Sequence, residues 1–176
     1  MTELNRSRFT ALLQSEDHLF HKNHPTSYEL HQRARKSLHG GVPMLWMIRW
    51  AGSFPVFVKE AKGAHFKDVD GNEYIDFCLG DTGAMTGHSP DETVKAINEQ
   101  VQKGITLMLP YEDVIWVGEE LQRRFKLPYW QFTLTATDAN RFALRMARMI
   151  TERPKILVFN YCYHGSVDET LITLDD

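Results

Sequence analysis

Two stretches of the chain carry residues whose types and spacing could do chemistry. The first is Thr135-Ala136-Thr137-Asp138-Ala139-Asn140, small and hydroxyl-bearing, where an extended run gives way to a helical pattern. A helix start presents backbone N–H groups without intrahelical acceptors, together with partial positive charge, so it can hold a phosphate. Small side chains let an anion reach the backbone, and Thr hydroxyls add donors. Taken alone, Thr and Asp at such a position most often only cap the helix. The second stretch is Tyr163-His164-Gly165, just past the apolar run Ile156-Leu157-Val158-Phe159. Ligands of open α/β sheets sit outside the carboxyl ends of strands. An exposed ring there can stack on a flat heteroaromatic group. Taken alone, a loop Tyr and His packing locally is the simpler reading of this pair.

These stretches need a scaffold. Trp130–Thr135 reads as a short strand, and Thr137–Thr151 as a helix with Phe142, Met146 and Met149 or Ile150 on its buried side. Lys155–Phe159 reads as a second strand, whose continuous apolar run suits a parallel strand covered on both faces. Strand, helix, strand at this spacing is a βαβ unit with a right-handed crossover. Thr170–Leu174 reads as a further strand. A sheet left open there has a bare edge, a poor place for a natural chain to stop.

Upstream, the segment Arg6–His39 is polar and His-rich. Its Ser27–Leu38 part suits a helix capped by Ser27 and stopped by Gly40-Gly41. Val42–Trp50 is so apolar and aromatic that it must be buried, against its own core or a partner; Trp46 and Trp50 are its anchors. Phe54–Leu79 reads as an antiparallel meander that turns at Lys62-Gly63 and at Asp70-Gly71-Asn72. Ser89 is placed to cap a helix with Pro90 at its first position and Asp91 and Glu92 at the positive dipole end. Val94, Ile97 and Val101 follow at helical spacing, and Gly104 closes the element. A further helix spans Glu112–Phe125, with Val114, Val117, Leu121 and Phe125 on one face, and Pro128 ends it.

Composition narrows the function classes. The 176 residues suffice for one domain with a core. Lys plus Arg number 20 against 23 Asp plus Glu, a net charge of −3 with interspersed signs, which argues against a nucleic-acid surface. The N-terminus is polar, unlike a secretory signal, and the longest apolar runs fall short of a membrane span. Cytoplasmic location is the expectation, with Cys78 and Cys162 as reduced thiols. His18, His21 and His24 recur every three residues but lack ligand-spaced companions, so they read as a solvated arm and no metal is expected. Asp68, Asp70 and Asp76 read as turn and strand-end residues, not as an acid/base pair.

The order of several phrases resembles the class III aminotransferases, most of all their glutamate-1-semialdehyde aminomutase branch. Those phrases are Gly40-Gly41-Val42, then Asp68-Val69-Asp70-Gly71-Asn72-Glu73-Tyr74-Ile75-Asp76, then Gly87-His88-Ser89-Pro90. They continue with Thr135-Ala136-Thr137-Asp138-Ala139 in place of the family's Ser-Gly-Thr-Glu-Ala. The run from Ala143 to Arg148 and Cys162-Tyr163-His164-Gly165 complete the set. Each phrase is modest; the ordered set, from about Ser27 onward, is specific.

The resemblance implies an α/β fold: the N-terminal part of a fold-type-I transferase dependent on pyridoxal 5'-phosphate. Residues 1–78 would be an N-terminal arm and β-meander of the small domain. Residues 79–176 would begin the large, three-layer α/β/α cofactor-binding domain. It implies that Thr135, Ala136 and Thr137 hold the cofactor phosphate, that Tyr163 stacks on the pyridine ring and that His164 lies beside it. It implies a transaminase moving an amino group between an amino compound and a 2-oxo acid or aldehyde, working as a homodimer. An aminomutase is the alternative, and a truncated, non-catalytic fragment or interaction module is the alternative of another class. Three departures stand out. Ala136 replaces Gly, which disfavours a positive φ but suits a helical first turn. Asp138 replaces Glu and has shorter reach. Asp81 stands where the aminomutase branch has a substrate-pocket aromatic, which argues against that branch's substrate. The family's Schiff-base Lys and the Asp that pairs with the pyridine nitrogen come later in its sequences, and neither Lys62 nor Lys155 matches the Lys position. No catalytic residue is therefore assigned here, and the chain alone is expected to be inactive.

Overall fold

The N-terminal arm folds into two helices, α1 (Arg6–Asn23) and α2 (Pro25–Ala34). Arg6–Asn23 contains no Gly or Pro, and its last turn carries His21 and Lys22 at the negative end of the helix dipole. The break at His24 precedes Pro25, whose ring disfavours a helical residue before it. In this computed structural model residues 6–171 are described, in two compact units that divide between Thr106 and Leu107.

The first unit holds the expected meander: β1 (Val58–Lys62), β2 (His65–Asp68) and β3 (Glu73–Ile75), antiparallel in that order. Lys62 pairs with His65 across the first turn, where Gly63 has φ +58, and a bulge lies between Val58 and Glu60. Gly71, at φ +92, makes the second turn. Phe66 and Tyr74 face each other in register and stack with ring centroids 4.7 Å apart.

The core of this unit is small and aromatic. Phe54 is buried, with Phe20 at 4.8 Å, His21 at 5.0 Å and Tyr28 at 5.3 Å around it. Beside it lies a fully buried polar centre. Asp68 accepts hydrogen bonds from the backbone of Asp70 and Asn72, from the Asn72 amide and from the Tyr74 hydroxyl. Burial pushes its carboxyl up, but the bonds from Asn72, Tyr74 and Asp70 outweigh it and hold it below the usual 3.8. Tyr74 also pairs with His24 at 2.7 Å, and the other ring nitrogen of His24 donates to the Phe20 carbonyl. Of the histidines spaced by three, His24 is thus buried and bonded within the fold and His21 packs on Phe54, while His18 is exposed.

Both expected serine caps are corrected. Ser27 lies inside α2, fully buried, and accepts from the Phe57 N–H. The cap of α2 is Asp70, whose carboxylate accepts from the N–H groups of Thr26 (2.7 Å) and Ser27 (3.0 Å). Ser89 has φ +49 and donates to the Ala61 carbonyl; Pro90 is the N-cap, and α3 spans Asp91–Val101. Lys62 reaches Asp91 and the Ser89 carbonyl, tying the meander to the start of α3.

The second unit contains α4 (Asp113–Phe125) and α5 (Ala136–Thr151), close to expectation. Trp130–Thr135 and Lys155–Phe159 are not strands. A strand requires a hydrogen-bonded neighbour, and among the described residues neither segment has one. Without that ladder the expected buried face of α5 stays open, with Phe142, Met146, Met149 and Ile150 exposed; in the first unit Val94, Ile97 and Val101 of α3 are exposed as well. Val42 is buried, but Met44, Leu45, Trp46, Ile48 and Trp50 are exposed within this chain. The strand expected at Thr170–Leu174 lies largely outside the described residues; Thr170 is in a buried turn.

Candidate functional site

Thr135 is the N-cap of α5. Its backbone is extended (φ −139, ψ 156), and its hydroxyl accepts from the Asp138 N–H at 3.1 Å. The same hydroxyl donates to the Asp138 carboxylate at 2.8 Å, a side-chain bond that orients the cap. The Ala139 N–H bonds the Thr135 carbonyl. What remains at the helix start are the N–H groups of Ala136 and Thr137, which have no intrahelical acceptor, and the Thr137 hydroxyl. Ala136 is the first helical residue and has no positive φ, so replacing Gly by Ala there needs no left-handed backbone.

The loop bearing Tyr163 lies against this helix start. Gly165 is buried at φ +111, and a Cβ built on it would stand 2.9 Å from Thr137 Oγ and 3.2 Å from Thr137 Cα. The Asn140 amide, one turn into α5, donates to the His164 carbonyl at 2.8 Å. Tyr163 is 77% exposed, so its ring is free to meet a ligand. His164 is less exposed. It lines an open groove of about 320 Å³ with Asn140, Leu144, Ile156 and Val158, and its Nε2 is buried there without a partner.

Structure thus brings together Thr135, Ala136, Thr137, Tyr163 and His164 in the second unit. Asp81 belongs to the first unit, exposed, at φ +51, with the Cys78 thiol 3.6 Å from its carboxylate. Four consecutive residues there, Leu79 to Thr82, have positive φ, and all but Gly80 carry a side chain. A second pair went unnoticed in the sequence: Asp76 and His88, 2.6 Å apart. Only the Asp-Gly and Gly-His phrases around it hinted at its existence. His88 holds the Asp76 carboxyl below its usual range, helped by the Leu79 and Cys78 N–H groups.

The profile of the family Aminotransferase class-III matches residues 46–176. This chain belongs to the class-III aminotransferases. Among curated class-III relatives, the glutamate-1-semialdehyde 2,1-aminomutase of Methanocaldococcus jannaschii is 37% identical over 147 residues, covering 83% of this chain and 34% of its own length. Among solved structures, a glutamate-1-semialdehyde-aminomutase from Pseudomonas aeruginosa PAO1 is 49% identical with a TM-score of 0.90, over 98% of this chain and 38% of that one. A lysine-to-alanine variant described under the same name, in complex with PMP, matches equally well. An omega-transaminase from Sphaerobacter thermophilus is 33% identical with a TM-score of 0.74, over 81% of this chain and 32% of its own. The class-III chain therefore spans about a third of the length of the relatives it matches, and its α/β fold is the N-terminal portion of the fold-type-I architecture.

Proposed function

We propose that the start of α5 and the Tyr163 loop form the phosphate and ring end of a pyridoxal 5'-phosphate site, in a protein that transfers amino groups. The observation that carries this reading is the contact of Thr137 with Gly165. It sets unsatisfied helix-start donors beside the loop that displays the Tyr163 ring. A phosphate needs several converging donors, and the Ala136 and Thr137 N–H groups with the Thr137 hydroxyl supply them at a positive dipole end. Tyr163 offers a flat apolar face for the pyridine ring. When bound, the cofactor supplies an electron sink for the substrate carbon whose amino group moves. His164 backs the loop from the groove side.

The reaction is the transfer of an amino group between a small amino compound and a 2-oxo acid or aldehyde. Asp81 supports transfer between two molecules, since a carboxylate replaces an aromatic at a position that the resemblance assigns to the substrate pocket. The second reading, an intramolecular aminomutase, is favoured by the 49% identity to the Pseudomonas protein. No lysine here is assigned the covalent link to the cofactor: Lys62 is held by Asp91 and the Ser89 carbonyl, and Lys155 precedes an apolar run. The chain by itself is then a non-catalytic, cofactor-holding portion. A second copy covering the exposed Met44, Leu45, Trp46, Ile48 and Trp50 makes the working unit a cytoplasmic homodimer.

Equilibrium dialysis of the chain with pyridoxal 5'-phosphate should show saturable binding that inorganic phosphate competes away. Borohydride treatment should leave no single stoichiometric pyridoxyl-lysine. Absence of binding would overturn the site, and one uniquely labelled lysine would overturn the assignment of no covalent lysine. Turnover of the whole enzyme on amine and 2-oxo acid pairs, against glutamate 1-semialdehyde alone, separates the two reactions.

A further inference from the structure

We infer that Asn140 is a positioning residue, whose side-chain amide fixes the loop carrying Tyr163 at a set distance from the helix start carrying Thr137. This rests on the cofactor site proposed above and names a residue that the site itself does not include. Three observations carry it. Asn140 Nδ2 donates to the His164 carbonyl at 2.8 Å, which ties a backbone atom and so controls the whole loop. Gly165, buried at φ +111, leaves no room for a Cβ before Thr137, so the loop sits as close to the helix as backbone can. The His164 imidazole enters the groove along α5 but finds no hydrogen-bond partner at Nε2, so no other polar contact of that side chain's Nε2 holds the loop down.

The consequence is a division of labour. The phosphate donors are the Ala136 and Thr137 N–H groups and the Thr137 hydroxyl, whereas Asn140 commits its amide N–H to the loop carbonyl. It sets where the Tyr163 ring stands once the phosphate is held. A ligand with both a phosphate and a flat ring needs both groups at fixed separation, whereas a bare phosphate needs only the helix start.

The test uses the purified protein and two probes, pyridoxal 5'-phosphate and inorganic phosphate. Asn140→Leu keeps the side chain's branching and its zero charge but removes the donor. It should weaken pyridoxal 5'-phosphate about three- to tenfold, the loss expected for one neutral hydrogen bond. The circular dichroism induced in the bound ring should fall or change sign, while the affinity for inorganic phosphate stays at the wild-type value. Gly165→Ala, which pushes the loop off Thr137, should reproduce the loss of induced dichroism and serves if the first variant does not fold. Thr137→Val is the control that weakens both probes. Wild-type cofactor affinity and dichroism in a folded Asn140→Leu, or in Gly165→Ala if Leu fails, with Thr137→Val impaired, would overturn the positioning role alone. A wild-type protein that binds neither probe would overturn the underlying site and this role with it.

Discussion

Asp76 Oδ2 stands 2.6 Å from His88 Nε2 across twelve positions of sequence, closing the segment that includes Asp81. The Asp76 carboxylate also accepts from the N–H groups of Cys78 and Leu79, and Gly63 bridges to the His88 backbone. One carboxylate therefore holds both ends of a segment with a left-handed run in it.

This pair has a pH signature. His88 and the two backbone donors depress the Asp76 pKa below its ordinary 3.8. A depressed carboxylate stabilises the fold above its unfolded value and loses that contribution as pH falls through the folded value. The urea midpoint should therefore decline below about pH 4, and Asp76→Asn should remove part of that decline while lowering the midpoint at neutral pH. Identical pH profiles for variant and wild type would exclude the clasp.

Tyr74 gives the opposite sign. Burial first, and then the hydrogen bond to Asp68, push its phenol up from 10.0 to about 12. A raised value means that the fold loses this group's contribution as pH climbs from the unfolded value through the folded one. Absorbance titration should show a late tyrosine component near pH 12 that Tyr74→Phe abolishes.

The polar centre should be costly to break. Asp70→Ala removes the acceptor for two helix-start N–H groups and should cost about 1–2 kcal/mol. Asp68→Ala strands several buried donors at about 1–3 kcal/mol each and should cost upwards of about 3 kcal/mol. Urea denaturation monitored by tryptophan fluorescence measures both, and Asp68→Ala must be the larger.

For the proposed site, Thr137→Val should weaken pyridoxal 5'-phosphate roughly ten- to hundredfold, since it removes a charge-assisted bond. Tyr163→Ala should weaken it only roughly two- to tenfold, through one aromatic contact. Dialysis that returned wild-type affinity for both would place the cofactor elsewhere.

What was legible in the sequence was local. The two meander turns at Gly63 and Gly71 and the helices ending at Phe125 and Thr151 depend on turn chemistry and a 3.6-residue period, which short windows contain. Thr135 as a cap was readable for the same reason. The cap of α2 was not, because its donors at Thr26 and Ser27 and its acceptor at Asp70 lie more than forty positions apart. α1 was missed because its apolar positions, Phe9, Leu12, Leu13 and Leu19, form no stripe that the described fold buries. Trp130–Thr135 and Lys155–Phe159 have strand composition, but a ladder is a property of two segments, and propensity in one cannot supply the other. In the candidate site the Thr and Tyr residues could be proposed from type and position. Asn140 could not, since its role depends on which carbonyl happens to face it.

The trans cap has a further consequence for where this fold can be cut. The family profile begins at residue 46, yet Asp70, Asp68 and Tyr74 inside it take their partners from Thr26, Ser27 and His24 before it. A protein begun at residue 46 would leave an aspartate facing no helix and a buried carboxylate opened to water. It would also leave Phe54 without Phe20 and Tyr28. The region that the family profile matches and the region that folds as a unit are therefore different lengths of chain, and the meander's integrity is encoded partly in a helix that the profile does not match.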